Sequence, residues 1–241
     1  MEFPSPCESR TGAVAAAVLL WVALCSCWRS AAQTTSTWNG GGTTDNWTDP
    51  ANWENEPSME AFPDNNSGGG NFLVQIPRGK VILDDHITIS SIDLGVDANE
   101  GGLVTGDKNL ISEIGALIGA QGGFDGGGGT FTSQGGIDVS GAFLIDDWTV
   151  NAQSALAVGV GGGDGSVVLD GDALLFLNQG LEFLRNGDLT SPVGSNALVT
   201  NRGEFRRAPS ASGLSEIGVN FVDSSGTIET TSGTLKFLSG R

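Results

Sequence analysis

The chain has no tyrosine, one histidine, eight prolines and three cysteines among 241 residues. All three cysteines (Cys7, Cys25 and Cys27) lie near the amino terminus. A chain that starts beyond them has no disulfide, no thiol nucleophile and no cysteine ligand for zinc. Its stability must come from packing and backbone hydrogen bonds. The lone histidine, His86, is the one residue that could serve Ser-His-Asp chemistry, and no Gly-x-Ser-x-Gly phrase surrounds a serine. Bases are scarce: 11 Lys and Arg stand against 28 Asp and Glu, a formal net charge of −17. Such a surface repels nucleic-acid phosphates and anionic membranes, so neither is an expected partner. It suits a cation-rich exterior, and solubility alone also accounts for it. After residue 32 no long stretch combines a 3.6-residue period with caps, so no helix is expected there.

One uncharged, alanine-rich run does occur, Gly12 to Leu24, with Arg10 before it and Arg29 after it. Ser30-Ala31-Ala32 then offers small residues at the −3 and −1 positions. Residues 1–32 therefore read as a secretory signal cleaved before Gln33. The alternatives are a retained anchor and a lipoprotein, since Val22-Ala23-Leu24-Cys25 and Leu24-Cys25-Ser26-Cys27 approach a lipobox. Removal takes two acids (Glu2, Glu8) and two bases (Arg10, Arg29), leaving 9 bases against 26 acids and the same net −17. The expected location is secreted or cell-surface, with no membrane span once the signal is gone.

Glycine is abundant, at 38 residues. Gly180, Gly203 and Gly226 recur at an equal spacing, in the phrases Asn178-Gln179-Gly180, Asn201-Arg202-Gly203 and Ser224-Ser225-Gly226. A fixed period of that size marks stacked units. Between such turns lie short apolar runs, among them 71–76, 81–83, 114–118, 143–145, 167–169, 181–184 and 217–222. Ile87, Ile89, Ile92 and Leu94 alternate with a one-residue slip at Ser90-Ser91, the mark of a corner or bulge. Tight corners need positive φ, which Gly and Asn tolerate. The pattern predicts an all-β, right-handed parallel β-solenoid (β-helix) of roughly seven coils at about 23 residues each. The runner-up is an antiparallel β-sandwich.

Residues 33–70 differ in texture. They hold Trp38, Trp47 and Trp53, then a polar, glycine-rich stretch from Pro63 to Gly70. A solenoid's first coil exposes an apolar end and unpaired strand edges, and large aromatics cover both. The expected organisation is a signal at 1–32, a Trp-rich N-terminal cap at 33–70 and solenoid repeats at 71–241.

Two stretches carry a resemblance. The phrases Leu198-Val199-Thr200-Asn201-Arg202-Gly203-Glu204-Phe205, Ser225-Gly226-Thr227-Ile228-Glu229 and Ser232-Gly233-Thr234-Leu235-Lys236-Phe237 form one. The opening Trp38, Trp47 and Asn52-Trp53, with Val74-Gln75-Ile76-Pro77 and Ile92-Asp93-Leu94-Gly95, forms the other. Together they resemble secreted bacterial β-helix repeat proteins of the autotransporter-associated β-strand repeat and planctomycete surface types. The resemblance implies a surface or matrix protein and no particular activity. Such proteins are often longer and end in a sorting tail or a translocator barrel. This chain stops at Arg241 just after a repeat phrase, so it reads as a short member or a fragment.

Several residues are candidates for chemistry. Trp38, Trp47, Trp53 and also Trp148 could stack on sugar rings. Asp164, Asp170 and Asp172, beside Gly161-Gly162-Gly163, are similar to calcium-binding Gly-Asp turns and could take calcium weakly. Asp84-Asp85-His86 offers a metal pair or a polar corner. Arg202, Arg206 and Arg207 are the one basic group; the last two must face opposite ways on a strand, solvated or paired with Glu204 and Glu229. The adjacent acid pairs Asp84-Asp85 and Asp146-Asp147 point to opposite faces of a strand and do not make a glycosidase pair. The leading expectation is a non-enzymatic structural or adhesion-type protein that needs no cofactor. Extracellular polysaccharide or surface components are its expected partners. A carbohydrate-binding module and a polysaccharide-active enzyme are the alternatives.

Overall fold

The computed structural model describes residues 33–238 apart from 69, 98–100, 210 and 212. The predicted signal lies outside the described residues. Among the described residues twenty-three short strands run almost entirely parallel, nearly all paired with a strand about one coil away in sequence. The fold is a β-solenoid with three faces.

The first face begins with the leading half of β5 (Ile87–Leu94) and of β7 (Asn109–Ile118). It continues through β9 (Thr130–Ser133), β12 (Thr149–Ala152), β15 (Leu174–Leu177), β18 (Leu198–Asn201) and β21 (Asn220–Asp223). The second face starts at β1 (Gln33–Trp38) and β3 (Asn71–Ile76) and takes the trailing halves of β5 and β7. It then runs through β10 (Gly136–Val139), β13 (Leu156–Val158), β16 (Gly180–Phe183), β19 (Glu204–Arg207) and β22 (Thr227–Thr230). The third face is an eight-stranded sheet. It comprises β4 (Gly79–Ile82), β6 (Gly102–Thr105), β8 (Gln121–Asp125), β11 (Ala142–Asp146), β14 (Gly165–Asp170), β17 (Gly187–Thr190), β20 (Leu214–Gly218) and β23 (Thr234–Phe237). From β5 to β23 this makes seven three-sided coils. The solenoid expected from the sequence is present and the runner-up antiparallel sandwich is excluded; among the described residues the single antiparallel pairing is β1 with β2 (Trp53–Glu56).

Coil length varies. The inward register of the first face runs Ile87, Leu110, Phe131, Val150, Leu175, Val199, Phe221. The shortest step is from Phe131 to Val150, and the longest follows it directly, from Val150 to Leu175. The extra residues loop out at corners, as at 159–164, where Gly159, Gly161 and Gly162 adopt positive φ. The slip at Ser90-Ser91 is a register shift between Ile89 and Ser91, where the chain turns from the first face to the second.

Away from the corner within β5 and β7, side chains alternate inward and outward along the strands, and parallel register stacks like on like. The second face carries the inward column Val74, Ile92, Ala116, Ile137, Leu156, Leu181, Phe205, and all of these are buried. Aromatic stacks fill the middle coils: Phe124 lies 4.7 Å from Phe131 and 4.8 Å from Trp148. Each such burial is worth about 1.5–3 kcal/mol over exposure.

The opening segment is itself part of the ladder. β1 pairs in parallel with β3, and Asn46 bridges in parallel to Ile82 below the third face. Among the described residues the ladder thus includes β1 from Gln33, ahead of the expected start of the repeats at residue 71. One turn of helix, α1 (Asn65–Gly68), is present where none was expected. It lies beside the first face, where Asp64 accepts a hydrogen bond from Thr88 N at 3.1 Å. Among the described residues no helix is long and apolar enough to cross a membrane.

Candidate functional site

The four tryptophans named in the sequence are internal. Trp47 and Trp148 are fully buried, and Trp38 and Trp53 nearly so. Trp53 contacts Trp38 edge-on at 5.1 Å and Trp47 at 4.8 Å. The indole N–H of Trp47 donates to Pro63 O (2.9 Å), that of Trp53 to Trp47 O (2.7 Å) and that of Trp148 to Gly126 O (2.6 Å). Rings so placed offer no face to a sugar. Trp38, Trp47 and Trp53 form instead an aromatic plug at the amino-terminal end of the stack.

The acids behave differently from their spacing in sequence. Asp164 precedes β14 and Asp170 ends it, six extended residues or about 20 Å apart. Asp172 accepts a hydrogen bond from Asn196 Nδ2 at 2.9 Å, and its backbone N–H donates to Asp147 (2.8 Å). Asp164, Asp170 and Asp172 are thus not one site. Among the described residues no group of three His, Cys, Asp or Glu is arranged to hold a metal ion. What the register does assemble is a ladder of carboxylates at one corner: Asp125, Asp146 and Asp170 on successive coils. Burial, then the negative charges of Asp147, Asp170 and Asp125, raise the Asp146 carboxyl above the usual range. Lys80 answers the lowest member, 2.7 Å from Asp125. The signal for this ladder was present as an acid closing each of these third-face strands, but it is visible only once coils of unequal length are aligned.

Asp84 and His86 sit at a corner and hold neighbours together. Asp84 accepts hydrogen bonds from Thr48 N (3.1 Å) and Thr48 Oγ1 (2.5 Å), tying the opening segment to the stack. His86 Nδ1 accepts from Asn109 N at 3.0 Å, one coil up.

Arg206 and Arg207 do face opposite ways on β19, but only Arg206 is solvated and paired with a carboxylate. Arg206 faces outward and pairs with Glu182 at 3.1 Å and Glu204 at 3.2 Å. Arg207 points into the core and is fully buried. Its guanidinium donates to Gly213 O (2.5 Å), Thr234 O (2.8 Å) and Asn186 Oδ1 (3.5 Å), and Nε has no partner among the described residues. Burial lowers its pKa from the ordinary guanidinium value.

Arg202 is the third member of the basic group that the sequence singles out, at the turn after β18. It lines a groove of about 350 Å³ on the outside of the first face with Asn151, Gln153, Phe176 and Asn178. Two columns build that groove. Asn151 and Phe176 are outward-facing partners on β12 and β15. Gln153, Asn178 and Arg202 follow the strand ends one above another. Their backbone N–H groups donate to the coil below: to Ser133 O, Ala152 O and Leu177 O at 2.9, 3.0 and 2.9 Å. The backbone is therefore fixed by the same ladder that holds the core. The Asn178 side chain reinforces it through Nδ2 to Ala152 O at 3.3 Å. Among the described residues the side chains of Asn151, Gln153 and Arg202 make no hydrogen bond or ion pair. No carboxylate lines the groove. Two other hollows differ in chemistry. One, near the start of β14 and β17, is lined by Asp164, Asn186 and Asp188. The other is an apolar dent on the third face between Leu103, Leu144 and Val168.

Comparison of the chain with protein families, with curated proteins and with solved structures finds no match.

Proposed function

We propose that this chain is an exported, non-enzymatic β-solenoid of the cell surface or extracellular matrix, acting by display. The observation that carries the reading is the unbroken parallel register of three faces through seven coils, with equivalent outward positions repeating about every 4.8 Å. Such a surface presents rows of similar weak contacts, and rows of weak contacts bind cooperatively through effective concentration. Two sequence features support the export half of the reading: the signal-like residues 1–32, and the absence of cysteine beyond Cys27, which leaves no thiol to oxidise outside the cell. The acidity of the chain supports a cation-rich exterior.

Expressing the full chain with a carboxy-terminal epitope in a secreting host tests this. The epitope is expected outside the cell or protease-accessible at its surface, on a chain beginning at Gln33. A full-length chain held inside the cell with residues 1–32 intact would overturn the export half. Release of reducing ends or unsaturated products from acidic polysaccharides would overturn the non-enzymatic half.

A further inference from the structure

We propose that the groove of Asn151, Gln153, Phe176, Asn178 and Arg202 is a binding subsite for a carboxylated sugar unit, such as a uronic acid residue of an extracellular glycan. This names a ligand class for the display role and rests on that reading only for where the ligand is met.

Three features of the groove point to that chemistry. The first is the half-buried, outward-facing ring of Phe176. An aromatic face takes the apolar C–H face of a pyranose, and it is held here on a strand hydrogen-bonded on both sides. The second is the set of carboxamides from three residues, Asn151, Gln153 and Asn178. Each amide offers both donor and acceptor, the complement of sugar hydroxyls. The third is Arg202, an exposed guanidinium without a carboxylate partner among the described residues, in a chain of net charge −17. Its planar fork matches a carboxylate in two parallel hydrogen bonds, which an ammonium cannot do. The groove also lies within the volume range of small-ligand sites, about 300–1,000 Å³.

The surrounding acidity selects the ligand further. A long polyanion is repelled by the molecule as a whole, while a single carboxylate reaching Arg202 meets no acid in the groove. Short or sparsely charged glycans are therefore favoured over densely charged ones, and the repulsion weakens as salt screens it.

The test is a titration of the full ¹⁵N-labelled chain with a uronic acid trisaccharide at millimolar concentration, followed by backbone amide shifts. The backbone amides of residues 151, 153, 176, 178 and 202 are expected to shift together. The methyl-esterified trisaccharide keeps the rings and loses the charge; acetate keeps the charge and loses the ring. Both are expected to bind at least roughly tenfold more weakly, the size of one hydrogen bond to a charged group. R202A should lose binding by roughly tenfold to a hundredfold, R202K by less, and F176L by a similar factor to R202A, with the remaining spectrum unchanged. No localised shift, equal binding of the methyl ester, equal binding of acetate, or full binding by R202A would each overturn the proposal. A failed titration leaves the display role standing, because that role is read by cell fractionation.

Discussion

Arg207 occupies, on its coil, the inward position that Phe183 occupies on the coil below. The column beneath them is Ile76, Leu94, Ile118, Val139 and Val158, all apolar and all buried. A guanidinium thus enters a hydrophobic column with carbonyl and carboxamide acceptors rather than a carboxylate. Desolvation of a charge is compensated only in part by such contacts.

Replacing Arg207 separates packing from charge. Arg207→Ala leaves a cavity and frees its acceptors, and is expected to cost about 3–5 kcal/mol. Arg207→Met fills the column without the charge and is expected to be close to neutral or stabilising. Guanidinium unfolding of the three proteins gives the order, and a Met variant as unstable as the Ala variant would show that the polar contacts dominate.

The aromatic plug should be a stability element. Trp47→Ala removes a fully buried ring and its hydrogen bond to Pro63 O, with an expected loss of about 3–5 kcal/mol. Trp47→Phe keeps most of the ring and should lose much less. Thermal melting of both variants checks this, and an unchanged midpoint in Trp47→Ala would contradict the packing described.

Gly180 has φ +104, and a Cβ there would stand 1.9 Å from Glu204 O in the next coil. Gly161 has φ +77 with open space around it. Gly161→Ala should cost only the left-handed penalty, about 1 kcal/mol. Gly180→Ala must also push the coils apart, so its cost should be clearly larger. Equal midpoints in denaturant would mean that the coil spacing at Gly180 is soft.

The carboxylate ladder gives stability a pH dependence. Asp146 is raised by burial and by Asp147, Asp170 and Asp125, so the folded state holds a proton that the unfolded chain releases near 3.8. Between that value and the raised one, the native state binds more protons, and stability falls as pH rises. Asp146→Asn should flatten this slope and raise stability at neutral pH by ~0.2–1 kcal/mol, the size of a like-charge cross-strand pair. Melting midpoints measured across the acid range for both proteins would reveal it; parallel curves would remove Asp146 as the source.

Much of the fold was legible because corners announce themselves locally. Gly, Asn and Asp at strand ends supply the backbone conformations that corners need. The stack of Gly126, Asp147 and Gly171, all at positive φ, repeats one such corner on three coils. The break at Ser90-Ser91 was legible for the same reason, since a slip in alternation has to be a bend. The candidate groove was not legible. Asn178 and Asn201 stand in matching phrases, yet Asn201 pairs in register with Leu177 rather than with Asn178, so the coil between them outruns the repeat of the phrases by one position. Asn178 therefore lies outside beside Arg202, while Asn201 turns inward and is fully buried, donating to Gly203 O and Asp223 Oδ1 at 2.9 and 3.0 Å.

The sequence by itself determined that the chain is built of short strands and tight corners repeated at about one coil length, because those signals act over a few residues. Which side chains meet was decided by tertiary structure alone. In a strand a displacement by a single position reverses inside and outside, and the unequal coils of the first face accumulate such displacements. The interstrand hydrogen bonds fix that parity, and with it the burial of Arg207 and the groove at Arg202.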